Sequence, residues 1–251
     1  MKPPPFSYYD PETTADVIGL LGSRENAKLL AGGQSLMPML NMRFVLPDHV
    51  IDLNRVQDLA YIRDAGGALE VRAMTRQRDL EFTDVVRTRC PLIHEAILQV
   101  GHRQTRNRGT LGGSLCQLDP SAELVAVATA LDATVSVAGP KGRREITIAD
   151  FPVAYMTPAI EPDELLTGVR FPLWARGHGH AFVEFARRHG DFAIVSAAAL
   201  IEADGTGKIT RAALTVGGLG PAPVRVGKAE QALIGNIASA ALFRETSESC
   251  R

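Results

Sequence analysis

Apolar positions along the chain change period several times, and each change marks an element. Val17, Ile18, Leu20 and Leu21 recur at helical spacing behind Thr13 and Thr14, either of which can cap a helix start. Thr13 to Leu21 is therefore predicted helical, with Gly22 ending it. Ala27 to Ala31 is a short apolar run that stops at two glycines, a strand feeding a loop, and Val50 to Leu53 reads as another strand. Alternation at Leu69 to Ala73, after the Gly66-Gly67 turn, predicts a further strand. Leu92, Ile93, Ala96, Ile97 and Val100 give a helix over Leu92 to Val100, and Ala122 to Leu131 gives a second, strongly apolar one. Thr134 to Ala138 alternates again, Pro140-Lys141-Gly142 forms a turn, and Glu145 to Ile148 returns as the hairpin's second strand.

Residues 173–179 read as a connection. Three long strands follow, Ala181–Arg188, Ala193–Glu202 and Ile209–Val216, separated by turns at Gly190 and Asp204–Gly207. Consecutive strands with short turns imply an antiparallel sheet, and a helix begins at Ala229–Leu233. The predicted class is α+β: a small α/β subdomain over about 1–55, a second mixed subdomain over 56–172, and an antiparallel sheet with helices over 178–251. There is no internal repeat and no low-complexity tract.

Composition adds exclusions. With 45% hydrophobic and 22% charged residues, the 251-residue chain has the balance of a folded globular protein. A net charge of −1 points to no polyanion or membrane surface, so no nucleic-acid partner is expected. No apolar run approaches the roughly 20 residues that span a bilayer. The opening MKPPPFSYYDPETT has no apolar core of a secretory signal, so a cytoplasmic location is expected. Cys90, Cys116 and Cys250 are far apart and odd in number, which suggests no disulfide framework and too few thiolates for an iron–sulfur cluster.

Two glycine pairs carry the candidate chemistry. Ala31-Gly32-Gly33-Gln34-Ser35-Leu36 follows a strand, and adjacent glycines there can aim successive N–H groups at phosphate oxygens. Thr110-Leu111-Gly112-Gly113-Ser114 precedes the apolar helix, with Asp119 and Glu123 near that helix's start, where an acid can meet ribose hydroxyls. Each pair alone is also compatible with an ordinary tight turn. Neither matches the P-loop or G-x-G-x-x-G pattern. Two such loops about 80 residues apart suit a ligand with a diphosphate held between two subdomains. His102, Arg103, Arg106 and Arg108 form a basic cluster that suits a solvated turn with ion pairs, and no aromatic residue interleaves to stack bases. Cys116 reads as a small buried hydrophobe, and the histidines lack zinc-ligand spacing.

Along the chain, FSYYDPETTADVIGLL, KLLAGGQSLMPMLNMR, IDLNRV, AMTRQRDLE, VGHRQTRNRGTLGGSLCQLDPSAELVAVATALDATV, PDELLTGVRFP, FARRHGDFAIVSAAALI and VGGLGPAPVR follow one another from residue 6 to about 228. In this order they resemble the medium, FAD-binding subunit of the carbon monoxide dehydrogenase and xanthine dehydrogenase family, the molybdenum hydroxylases. The resemblance implies two N-terminal FAD-binding subdomains (PCMH-type, residues 1–172) and a C-terminal flavoprotein domain (178–251). It implies FAD held by Ala31, Gly32, Gly33, Gln34 and Ser35 at the diphosphate and by Thr110, Gly112, Gly113 and Ser114 as a second wall. Lys28, Leu36, Gln117 and Glu123 are implied secondary contacts, with Leu165 or Leu166 near the adenine. In the context of the resemblance, the basic cluster at His102, Arg103, Arg106 and Arg108 also suits a support for the glycine loop and a contact for a partner subunit. No catalytic acid, nucleophile or metal ligand is implied on this chain.

The implied partners are a large molybdopterin-binding subunit and a small [2Fe–2S] subunit, assembled as a dimer of heterotrimers. Electrons would pass through FAD to an external acceptor. Ser114 stands where many relatives carry asparagine or aspartate, and serine keeps both a donor and an acceptor. The match is expected to fade after Gly235, with the end truncated or altered. Two other arrangements stay open on these residues: a self-contained flavoprotein oxidase or reductase, and a non-catalytic FAD-dependent assembly module.

Overall fold

A computed structural model describes residues 2–248; Cys250 and the extreme C-terminus lie outside the described residues. The first unit runs β1 (Ser7–Tyr9), α1 (Thr14–Ser23), β2 (Ala27–Leu30), α2 (Leu36–Asn41) and β3 (His49–Asp52). Its strands lie in the order β1-β3-β2, all parallel, with Tyr9 and Leu29 both in register with Ile51. Helix α1 is capped as expected: the Thr13 hydroxyl accepts from the Asp16 N–H at 3.1 Å. Val17 and Leu21, one turn apart, are its buried residues. Gly22 does not end the helix, which continues to Ser23 and closes with Arg24 N–H donating to the Leu20 carbonyl at 2.9 Å. A single 3-10 turn at Gln57–Leu59 then leads to the second unit.

The second unit comprises β4 (Ile62–Asp64), β5 (Ala68–Arg72), α3 (Gln77–Phe82), α4 (Asp84–Arg89), α5 (Pro91–Gln99), α6 (Arg103–Arg108), α7 (Leu111–Gln117), α8 (Glu123–Ala130), β6 (Thr134–Gly139), β7 (Gly142–Thr147), β8 (Pro152–Ala154), β9 (Thr157–Pro158) and β10 (Leu165–Pro172). Five of its strands form one sheet in the order β4-β5-β10-β6-β7, with every pairing antiparallel. The short helices α3, α4, α6 and α7 were not anticipated from periodicity, because each has only six or seven residues. The basic cluster forms helix α6, not a turn. Arg106 on it is nearly buried and pairs with Glu81 at 2.9 Å, while also donating to the Val100 carbonyl.

The third unit is an antiparallel sheet, β11 (Gly179–Phe185), β12 (Val195–Ala203), β13 (Ile209–Gly217) and β14 (Val224–Arg225), followed by α9 (Gly227–Leu233) and α10 (Ala240–Glu248). Helix α8 joins the units. All seven residues from Leu124 to Ala130 are buried, because α8 packs against α5 and α7 and also against β12 and β13. A helix apolar on every side demands such cover. Phe182, Ala198, Leu200 and Ala213 of the third sheet thus share one core with Leu69, Ile93, Leu115 and Val135 of the second unit. The first unit's core likewise takes in Met74 and Leu165. Among the described residues no helix is long and apolar enough to cross a membrane.

Gly19 lies exposed in α1 with no atom within 4 Å of where a Cβ would sit. Gly19→Ala should therefore raise unfolding stability by roughly 0.5–1 kcal/mol through helix propensity alone. A urea midpoint unchanged or lowered would count against this account of α1.

Candidate functional site

Strand β2 delivers the first glycine motif at the carboxyl end of a parallel sheet, where ligands of open α/β sheets collect. Gly33 has φ +73°, a value that a glycine reaches without strain. Among the described residues, the N–H groups of Gly32, Gly33, Gln34, Ser35 and Leu36 have no acceptor. Five successive unpaired donors at a turn are a nest for an anion. The loop is steadied by its carbonyls instead: Asn54 Nδ2 donates to Ala31 O at 3.2 Å and Gln34 Nε2 to Gly32 O at 3.2 Å. Asn54 lies two residues past the end of β3, the neighbouring strand, and it also bonds Asp52.

The second motif differs. It forms the start of helix α7, and its donors are already used. Leu111 N–H binds Thr75 O, Gly112 N–H binds Ala73 O at 2.8 Å, Gly113 N–H binds the Thr110 hydroxyl at 3.0 Å, and Ser114 N–H binds Thr110 O. Thr110 is buried as the helix cap. Gly112 serves packing: a Cβ there would stand 2.8 Å from the Ala73 carbonyl oxygen. A Cβ on Gly113 would face Ala31 at 3.7 Å, and one on Gly32 would sit 2.2 Å from the Arg108 carbonyl oxygen. The two motifs therefore touch, one offering free donors and the other a close-fitting wall.

The remaining anticipated residues divide. Ser35 and Gln34 are exposed on the first loop, and Leu36 opens α2. Gln117, on α7, contacts the Met39 sulfur of α2 and so lies beside both motifs. Lys28 instead lines a groove of about 800 Å³ with Leu21–Ala27, Lys141 and Glu161–Asp163, to which residues 31–36 and 110–114 contribute nothing. Leu165 and Leu166 are core residues, so the structure offers neither side chain to a ligand. Cys116 is not the expected buried hydrophobe. It is exposed, although the atoms crowded round its sulfur push the thiol up to about 12 by desolvation.

Glu123 begins α8 where the third unit closes on the second. There Gly217 of β13 lies beside Ser196 and the Pro120 carbonyl, and Gly190 of the β11–β12 hairpin packs on His102. Burial pushes the Glu123 carboxyl up to about 7, and the nearby Glu184 and Asp119 carboxylates add to the shift. Glu184 on β11 is raised by burial as well, and its Oε2 is buried without a hydrogen-bond partner. Sequence reading missed Asn54, Arg76 and Glu184. Only Asn54 carried a local signal, an amide directly after a strand end.

A family model described as the FAD binding domain in molybdopterin dehydrogenase matches residues 4–174, and one described as the CO dehydrogenase flavoprotein C-terminal domain matches 180–251. The second match runs to residue 251, past Gly235, where the resemblance was expected to fade. The chain is 41% identical over 235 residues to the 6-hydroxypseudooxynicotine dehydrogenase complex subunit alpha of Paenarthrobacter nicotinovorans, covering 93% of this chain and 79% of the relative. It is 36% identical to the carbon monoxide dehydrogenase medium chain of Afipia carboxidovorans, covering 94% and 82%. Among solved structures, a carbon monoxide dehydrogenase from Hydrogenophaga pseudoflava superposes with a TM-score of 0.95 at 34% identity, covering 99% of this chain and 87% of that one.

The raised Glu123 carboxyl makes a stability prediction. A carboxyl whose folded pKa lies above its unfolded value contributes stability that is complete below about pH 4.5 and lost as pH rises through about 7. Glu123→Gln should thus match the parent near pH 4.5 and exceed it by up to about 3 kcal/mol near pH 8. A stability difference that stays flat across urea titrations from pH 4.5 to 8 would remove Glu123 as the cause.

Proposed function

Because the chain belongs to the FAD-binding subunits of the molybdopterin dehydrogenases, we propose that it is the subunit through which electrons leave a heteromeric molybdenum hydroxylase. Substrate would be hydroxylated at a molybdenum centre on a large partner. Electrons would then pass to [2Fe–2S] clusters on a small partner, on to this chain, and out to an external acceptor. Two copies of that three-chain unit would make the assembly. The observation that carries the reading is the row of five unpaired N–H donors, from Gly32 to Leu36, facing the α7 wall.

The residues present fit FAD. Gly32, Gly33, Gln34, Ser35 and Leu36 would hold the diphosphate on backbone dipoles, with Gln34 and Ser35 adding side-chain bonds. Gly113 and Ser114 would close the opposite side, where the absence of a side chain on Gly113 lets the Thr110 cap and Ala31 pack close. Gln117, Cys116 and Glu123 would line the space beyond. When bound, FAD supplies the capacity to accept electrons singly and release them as a pair. The chain itself binds, orients and excludes water, and none of its side chains is assigned as acid, base or nucleophile. The boundary between the FAD-binding and C-terminal domains is placed in the connection at 173–179.

The purified chain should bind FAD noncovalently and release it to the supernatant on acid precipitation. Gly33→Val should abolish binding, because a branched side chain resists positive φ and fills the nest. Gly32 and Gly112 are poor test positions, since a Cβ at either collides with backbone. Normal FAD affinity in a folded Gly33→Val chain would reduce the motif to a structural turn.

Electron order can be read in the assembled complex. Removing FAD should stop delivery to the external acceptor yet leave substrate-driven reduction of the clusters intact in stopped-flow spectra. If cluster reduction also stopped while the complex stayed assembled, this chain would lie upstream of the clusters.

A further inference from the structure

A diphosphate carries full negative charge, and neither glycine motif contains a cation to meet it. Arg76 lies behind both motifs. It precedes α3, is half-buried, and forms an isolated β-bridge with Thr110, the cap of α7. One guanidinium nitrogen donates to the Arg108 carbonyl at 2.5 Å, the oxygen against which Gly32 packs. The other donates to Asn54 Oδ1, and Asn54 in turn holds the Ala31 carbonyl. A single fork thus spans the approach to the second motif and, through Asn54, the base of the first.

Both acceptors of that fork are neutral. Among the described residues Arg76 makes no salt bridge to a carboxylate, although Asp79 and Asp52 stand near enough to be felt. Burial and the neighbouring Arg108 both disfavour its charge. A half-buried cation with neutral partners is costly, and an anion bound at the nest would relieve that cost.

We propose that Arg76 is the positioning residue and electrostatic anchor of the diphosphate site, holding the two glycine motifs together and supplying the positive field that their backbone dipoles lack. The inference rests on the reading of the nest as the FAD diphosphate site. Arg76 should then govern affinity for the diphosphate-bearing half of the ligand, ADP included, and leave riboflavin unaffected. Arg and Lys separate the two parts of its role. Lysine keeps the charge but lacks the planar fork that holds these two separated acceptors in fixed geometry.

The experiment titrates the full chain with FAD, ADP and riboflavin at several salt concentrations, for the parent, Arg76→Gln and Arg76→Lys. In Arg76→Gln, FAD and ADP affinity should fall about tenfold or more, as for loss of one charged contact. The salt dependence of ADP binding should flatten, because screened attraction has been removed. Arg76→Lys should lose affinity while keeping the parent's salt dependence, a split that a purely structural role would not produce. Parent-like FAD affinity and salt dependence in Arg76→Gln would overturn the proposal, as would equal losses for ADP and riboflavin. If Arg76→Gln does not fold, Arg76→Lys decides alone: unchanged FAD affinity overturns the proposal and a loss of about tenfold supports it. Failure of the parent chain to bind FAD or ADP would instead overturn the reading of the nest itself.

Discussion

The arrangement depends on one close contact, Gly32 against the carbonyl of Arg108. A Cβ at Gly32 would be 2.2 Å from that oxygen, so no larger residue lets the first motif reach the second. Several features serve the same carbonyl. Helix α6 ends at Arg108, which leaves its carbonyl free of the helix and available to Arg76. Gly109, next along, leaves room for Gln77, whose Oε1 would lie 2.3 Å from a Cβ there. The Gln77 N–H binds the Gly109 carbonyl at 2.9 Å, so α3 starts at the point where the second motif begins. Two sheets that share no strand thus meet backbone to backbone at this peptide unit, beside the apolar core that Met74 and Leu165 share with the first unit.

That contact would be of little use if the units could shift elsewhere, and helix α8 opposes such shifts. Its seven buried residues are covered from both sides, by α5 and α7 of its own unit and by β12 and β13 of the third. Close-packed interiors transmit strain instead of absorbing it. The start of α8 carries Glu123, so this carboxyl sits on a helix packed by both the second and the third units. Its raised carboxyl follows from that placement, since the packing that immobilises α8 also removes water from its first turn.

The elements with strong periodicity were legible. Helices α1, α5 and α8 and the three long strands of the third sheet fall within a few residues of expectation, because each buries a continuous face, whereas the two-residue β14 was not anticipated. Helices α3, α4, α6 and α7 were not, since each is too short to show a period and is held by contacts made far along the chain. The glycine motifs were legible as a pair, but their difference was not. Residue types do not reveal that Gly112 N–H is bonded to Ala73 while Gly33 N–H is free. Arg76 was illegible as a site residue for a similar reason, and the amide after a strand end at Asn54 did not reveal which carbonyl it would hold. Asn54 reaches Ala31 across 23 positions, and Arg76 reaches Arg108 across 32.

The inequality of the two motifs has a consequence for how the site meets charge. If both offered free donors, a diphosphate would be gripped symmetrically and no cation would be needed. With the α7 donors committed to Ala73, Thr75 and the Thr110 cap, dipoles would reach a ligand at the proposed site from one side only. The opposing side gives shape without charge. A guanidinium set behind the nest, bonded to the neutral Arg108 carbonyl and Asn54 amide oxygens, would restore the balance in the proposed site. In this fold the glycine pair thus has two meanings. At Gly32-Gly33 it exposes donors, and at Gly112-Gly113 it lets helix α7 close onto Ala73 and its own Thr110 cap while the first unit's Ala31 comes within contact distance.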